Sequence, residues 1–202
     1  MAVRRPRGDQ QLVQIMDAAL VDASRRSGDW LKCRAGCTQC CVGVFAISQL
    51  DVARLREGMR KLERSDATGA ARLKIRITAV RQELNASFPG DPVSGLLDES
   101  DDAQVRFDDF ANDVACPVLD PVNGTCDLYE YRPMTCRAFG PPIRTDEGLG
   151  VCELCFQGAS NEEIARCEMV VDPDGLEAKL IAELERRGAR GQTIVAMAFE
   201  DQ

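Results

Sequence analysis

The 202-residue sequence predicts a mainly α fold: a single small domain with irregular loops and at most short strands, organised around clustered cysteines. Three observations carry this. Apolar residues recur at helical spacing over several long stretches. Glycine and proline break the chain between those stretches. The ten cysteines fall in groups, with four inside Cys33-Arg34-Ala35-Gly36-Cys37-Thr38-Gln39-Cys40-Cys41.

Residues 1–9, with Arg4, Arg5 and Arg7, read as a flexible basic arm ahead of one domain over 10–202. That domain has its core motif at 30–156 and a helical extension over 160–202. Leu12, Ile15, Met16, Ala19, Leu20 and Ala23 trace one face of a helix over 10–27, which Gly28 stops. Trp30 and Leu31 then lead into the cysteine run, and Trp30 is expected to cover the cluster or the core beside it. Were the run helical, at about 100° per residue, Cys33, Cys37, Cys40 and Cys41 would share one quadrant. Residues 42–47 are short and apolar, a strand or an extended buried segment. Ser48 and Asp51 form a capping box. The helix it opens runs to about Arg64 and buries Leu50, Leu55, Met59 and Leu62. A turn over 65–69 precedes a helix over 70–86 that buries Leu73, Ile77, Val80 and Leu84.

Phe88-Pro89-Gly90-Asp91-Pro92 breaks the chain, and the acidic stretch over 90–113 reads as a solvated loop without the spacing of a calcium-binding EF-hand. Phe107, Phe110 and Val114 anchor a short helical turn at its end. Asn123-Gly124 folds the chain back between Cys116 and Cys126. Pro133 suits the first turn of a short helix ending at Cys136, and Gly140-Pro141-Pro142 ends that piece. Cys152 and Cys155 follow a glycine-rich loop, and Cys167 lies in a helical stretch from Asn161. A last amphipathic helix covers 174–187. Residues 193–199 are a closing strand or a tail packed on the core. No tandem repeat is evident.

A net charge of −8 argues against nucleic acid or anionic membrane as partner, and no run approaches the roughly 20 apolar residues of a membrane span. The basic N-terminus is not followed by an apolar signal core, so a cytoplasmic protein is expected, with its thiols reduced. The chain has no histidine, which removes Cys/His zinc fingers, histidine triads and 2-His-1-carboxylate iron sites. Any transition metal must be held by sulfur, with carboxylate oxygen the one supplement. The candidate ligands are Cys33, Cys37, Cys40, Cys41, Cys116, Cys126, Cys136, Cys152 and Cys155, with Cys167 read as a buried free thiol. This exceeds the four donors of one tetrahedral zinc. Two mononuclear sites, a thiolate-bridged pair, and one cluster with auxiliary cysteines all accommodate it. Adjacent Cys40 and Cys41 serve two neighbouring metals, or one ligates while the other packs or reacts. Arg34, Arg132 and Arg137 stand next to these cysteines as donors to sulfur, and Tyr129 is expected in the core with its hydroxyl bonded.

Cys33, Cys37 and Cys40 match the C-x3-C-x2-C spacing of radical-SAM enzymes. Gln39 stands where those enzymes carry an aromatic residue, and a helix-rich chain lacks their (β/α) barrel. Two blocks together resemble a different family, the YkgJ-type cysteine-cluster proteins. One is the quartet ending in Cys40-Cys41. The other is Cys116-Pro117-x-Leu119 with Cys126-x-x-Tyr129-x-x-Arg132-Pro133-x-x-Cys136-Arg137-x-Phe139. The resemblance implies zinc or iron bound by these cysteines, with [4Fe-4S] or another iron–sulfur cluster as one form. It leaves open an iron–sulfur oxidoreductase, an electron carrier or a redox sensor using the same residues. The partners it implies are a metal ion and, as an open alternative, another protein.

Overall fold

The first amphipathic stretch forms helix α1, Asp9–Ser27, burying Leu12, Met16 and Ala23. It ends where Gly28 takes φ +48° and donates its N–H to the Ser24 carbonyl. In the computed structural model, which describes residues 4–145 and 148–199, a 3-10 turn over Gly28–Trp30 follows. Residues 1–3 of the basic arm lie outside the described residues; Arg5 forms a two-pronged ion pair with Glu57, 2.7 Å at each contact.

The cysteine run is not a helix. Residues 31–38 are irregular, Gly36 sits at φ +85°, and only Gln39–Cys41 winds into a 3-10 turn. Helical backbone needs φ near −63°, so the four thiols do not share a helix face. Residues 42–47 are extended and make isolated bridges, Val42 to Ala115 and Ile47 to Thr193.

Helix α2, Gln49–Ser65, opens with the expected capping box: Ser48 Oγ accepts from the Asp51 N–H, and the Asp51 carboxylate accepts from the Ser48 N–H. Helix α3, Ala67–Leu84, follows after one residue. The turn expected over 65–69 shrinks to Asp66, because Asp66 ends α2 and also caps α3 by accepting from the Gly69 N–H at 2.9 Å. Strands β1, Gly90–Asp91, and β2, Leu96–Leu97, form a hairpin. The stretch expected as a solvated loop then holds helix α4, Asp101–Asp108. Asp101 and Asp102 fall in its first turn, where negative charge complements the helix dipole, and Ala103 is buried.

Strands β3, Leu119–Asp120, and β4, Thr125–Cys126, make a second hairpin. The five-residue helix α5, Met134–Ala138, carries Cys136 in its interior, and strands β5, Ile143–Thr145, and β6, Gly148–Gly150, make a third hairpin. Helix α6, Asn161–Arg166, ends at Cys167 and helix α7, Leu176–Arg186, follows. Residues 193–199 are a packed tail with a 3-10 turn at Val195–Met197. The fold is a single, mainly helical domain with short two-stranded sheets, as its composition and periodicity predict.

The first two hairpins repeat one device. Asp91-Pro92-Val93-Ser94-Gly95 and Asp120-Pro121-Val122-Asn123-Gly124 share the pattern D-P-V-x-G. In each, the aspartate accepts the valine N–H, at 3.0 and 2.9 Å, and the glycine occupies the left-handed region at φ +71° and +64°.

The chain gathers into two compact units. The first comprises Met1–Arg5, Gly36–Pro133 and Leu184–Gln202; the second comprises Pro6–Ala35 and Met134–Glu183. In the first, Leu55, Leu73 and Ile77 of α2 and α3 pack with Val118, Leu128, Ala198 and Phe199. In the second, α1 packs against α5, and Cys155, Phe156 and Cys167 make an apolar cluster covered by Trp30 and Ile164. The division falls between Ala35 and Gly36, inside the cysteine run.

Candidate metal centre

Five cysteines belong to the first unit: Cys37, Cys40, Cys41, Cys116 and Cys126. Backbone bonds draw four of them together. The 3-10 turn is closed by Cys41 N–H to Thr38 carbonyl, 2.8 Å, and the Cys41 carbonyl accepts from the Cys116 N–H at 2.7 Å. Leu119 N–H returns to the Cys116 carbonyl at 3.0 Å, and Leu119 pairs directly with Cys126 across the β3–β4 hairpin. Cys41, Cys116 and Cys126 thus follow one continuous ladder, with Cys40 beside them. Cys37 sits in the loop over 36–38, on which the tip of that hairpin rests: a β-carbon on Gly124 would come 3.2 Å from Gly36 Cα.

The thiols sense one another. Cys41 donates to the Cys40 sulfur, holding the Cys40 thiol down to about 6 against the opposing effect of burial. The same bond, with burial and the charges of Cys40, Cys116 and Cys126, raises Cys41. Burial pushes Cys116 up to about 12, with Cys126 and Cys40 adding repulsion, and burial also raises Cys126. Cys40 and Cys41, adjacent in sequence, both feel the charges of Cys116 and Cys126.

Two arginines order this group. Arg132 is buried, lies 4.0 Å over the Tyr129 ring, donates to the Tyr129 carbonyl at 2.9 Å, and places positive charge near Cys40 and Cys126. Tyr129 is not a core aromatic. It is 56 % exposed, because its ring serves as the platform under Arg132. The second arginine is one that sequence reading does not single out. Arg76 of α3 donates to the Pro117 carbonyl at 3.1 Å and pairs with the Asp127 carboxylate, so one guanidinium grips the residues that follow Cys116 and Cys126. Its only sequence signal is its place on a helix remote from both.

The second unit holds Cys33, Cys136, Cys152, Cys155 and Cys167. Cys155 N–H bonds the Cys152 carbonyl at 2.8 Å, closing the C-x2-C turn, and the Cys155 sulfur accepts from the Lys32 N–H at 3.4 Å. The Cys33 sulfur lies against Gly140, where a β-carbon would come within 2.7 Å of it. Cys136 is half-buried on α5, four residues before Gly140. Cys167 donates its S–H to the Arg26 carbonyl at 3.3 Å and is buried. Arg137, expected to serve sulfur, is buried and pairs with Asp17 of α1 at 2.6 Å; Arg34 is exposed.

Among the described residues, no three Cys, Asp or Glu side chains meet at the separations of a bound metal. The donor chemistry nevertheless fits one: four mutually interacting, half-buried thiols without histidine are a soft, sulfur-only set of the kind zinc and iron accept. No curated protein and no solved structure matches the chain. One family does, over residues 32–156, which is more than half of the sequence and takes in all nine candidate ligand cysteines. The chain belongs to the CxxCxxCC family, described as "Putative zinc- or iron-chelating domain".

Proposed function

We propose that the chain is a thiolate metal-binding protein and that Cys40, Cys41, Cys116 and Cys126 hold a zinc or iron ion, with Cys37 alongside. The observation that carries this reading is the backbone ladder that brings Cys41, Cys116 and Cys126 together, with Cys40 beside them, from two stretches about 75 residues apart in the chain. Ligands from such separated segments couple metal binding to folding. Arg132 offsets part of the thiolate charge. A cytoplasmic setting suits a chain rich in cysteine. No helix of the described residues is long and apolar enough to cross a membrane.

Anaerobic purification followed by metal analysis and a visible spectrum tests the reading. A colourless protein with stoichiometric zinc, or a brown one with iron and acid-labile sulfide, supports it and separates a zinc site from an iron–sulfur cluster. In Cys126→Ser and Cys37→Ser variants, metal content and thermal stability should fall together for the first and less steeply for the second. Unchanged metal content in both overturns the reading.

A further inference from the structure

We propose that the cleft between α2 and α3 docks an acidic, amphipathic helix of a partner protein. The cleft lies wholly within the first unit and holds about 980 Å³. Its lining shares no residue with the candidate metal ligands.

The walls follow from helical periodicity. On α2, Arg56, Met59, Arg60 and Glu63 stand at i, i+3, i+4 and i+7, so one stripe of that helix faces the cleft. On α3, Lys74, Ile77 and Arg81 recur at the same kind of spacing and form the opposite wall. Met59, Ile77 and Phe199, only 6, 6 and 8 % exposed, make an apolar floor between the walls. Arg56 donates to the Ala198 carbonyl at 2.7 Å and Arg81 to the Phe199 carbonyl at 3.2 Å. One arginine from each wall thus fixes the tail that carries Phe199 into the floor. The β1–β2 tip adds Pro92 and Val93 to the lining, and Val93 is 86 % exposed.

The charge of this lining runs against that of the chain. Arg56, Arg60, Lys74 and Arg81 face one carboxylate, Glu63, which pairs with Lys74 at 2.6 Å, whereas the chain as a whole carries −8. Cations on both walls with an apolar floor between them complement a helix whose apolar stripe is flanked on both sides by carboxylates. The α3 wall, from Lys74 to Asn85, is roughly 16 Å long at 1.5 Å per residue, a length that about 11 residues of a docked helix cover. Arg60, Thr78, Gln82 and Asn85 are exposed along the rim, which leaves the cleft open to a segment lying lengthwise in it. A small-molecule pocket instead encloses most of its ligand. An anionic lipid surface is disfavoured by the net negative charge of the chain.

The test is fluorescence anisotropy of a fluorescein-labelled helical peptide of about 11 residues, with a leucine stripe flanked by glutamates, titrated with the full chain. Saturable binding is expected, weakened about tenfold or more when the glutamates are replaced by glutamines, and weakened by added salt. Arg60→Glu/Gln82→Glu places negative charge at exposed positions on both rims and should lower affinity about tenfold or more, with the helical circular-dichroism signal retained. Arg72→Glu, exposed on α3 but outside the cleft, should leave affinity unchanged. With the unmutated chain, a photo-crosslinking leucine at the centre of the stripe should label 56–63 or 74–85, read by mass spectrometry. Absence of saturable binding, equal affinity for the glutamate and glutamine peptides, an equal loss in the Arg72 variant, or labelling elsewhere overturns the proposal. So does binding of phosphatidylglycerol vesicles, or self-association of the chain, that Arg60→Glu/Gln82→Glu abolishes, since the cleft then serves a lipid surface or a second copy.

Discussion

Gly124 at the tip of the β3–β4 hairpin rests on the backbone of Gly36, so closely that a β-carbon there would stand 3.2 Å from Gly36 Cα and 3.6 Å from the Thr38 side chain. The contact joins the strand that ends in Cys126 to the loop that carries Cys37. Gly124 also adopts φ +64°, which costs any L-residue of order 1 kcal/mol or more. Gly175 separates the two effects: it has φ +62° with nothing within 4 Å. Gly175→Ala should show the backbone penalty alone. Gly124→Ala should show that penalty and also weaken metal retention, by about tenfold for a further 1.4 kcal/mol. Equal metal affinity in the two variants would mean that the contact does not position ligands.

The twin hairpins offer a second internal comparison. Asp91 and Asp120 each accept backbone N–H groups at a tip of the same D-P-V-x-G pattern; the Ser94 side chain, helped by the backbone bonds, holds the Asp91 carboxyl below the usual aspartate range, and the backbone bonds hold Asp120 there. Asp91→Ala and Asp120→Ala should each loosen one hairpin. Only Asp120→Ala should lower metal affinity, because only β4 ends in a cysteine. Chelator competition at a fixed temperature measures the difference.

Arg76 is predicted to act as a positioning residue. Arg76→Lys keeps the charge and loses the fork that reaches both the Pro117 carbonyl and the Asp127 carboxylate. Metal affinity should fall several-fold while the helical circular-dichroism signal is retained, since α3 keeps its buried Leu73 and Ile77. A lysine variant that retains full affinity would show that the grip on Pro117 and Asp127 is only structural.

What the sequence made legible follows from the range of the forces involved. The extents of α1 and α2, the Gly28 stop and the Ser48–Asp51 box are set within a few residues, so periodicity and capping chemistry found them. Helix α4 was hidden because Asp101 and Asp102 look like solvated charge until a helix N-terminus gives them a partner. The grouping of the cysteines was not legible. Spacing shows that Cys33 and Cys37 are near in the chain, but it cannot show that the Lys32 N–H meets the Cys155 sulfur or that the Cys33 sulfur lies against Gly140, both contacts with residues far along the sequence. Arg76 gave no local signal because both of its partners lie more than 40 residues away. Tyr129 looked like core until Arg132 occupied its face.

Gly140→Ala probes the second unit alone. Its β-carbon would stand 2.7 Å from the Cys33 sulfur and 3.2 Å from Leu31, at φ +114°, so the loop over 31–33 must shift. The overpacking and backbone strain should lower the thermal midpoint by several degrees, for about 1–3 kcal/mol. Trp30 emission should move with it. Alkylation of Cys37 and Cys126 should proceed at its unmutated rate, and acceleration there would show that the variant unfolds the whole chain.

Helix α6 supplies a pH dependence whose sign is fixed by its cap. Glu163 accepts from the Ser160 N–H at 2.8 Å and from its hydroxyl at 2.7 Å, and these bonds hold the carboxyl below its ordinary value of 4.5. A carboxyl whose folded value is depressed adds stability that is fully present above 4.5 and drains away as the pH falls through the lower, folded value. The consequence is local, because Ile164 beside Glu163 packs on the Cys155–Phe156–Cys167 cluster. Acidification of the metal-free chain should therefore lower the hydrogen-exchange protection of the Ile164 amide, which donates to the Ser160 carbonyl at 3.0 Å. Glu163→Gln can still accept from the Ser160 N–H but does not titrate, so its protection factor should stay flat over the same range. A parallel decline in the glutamine variant would assign the acid sensitivity to some other carboxyl.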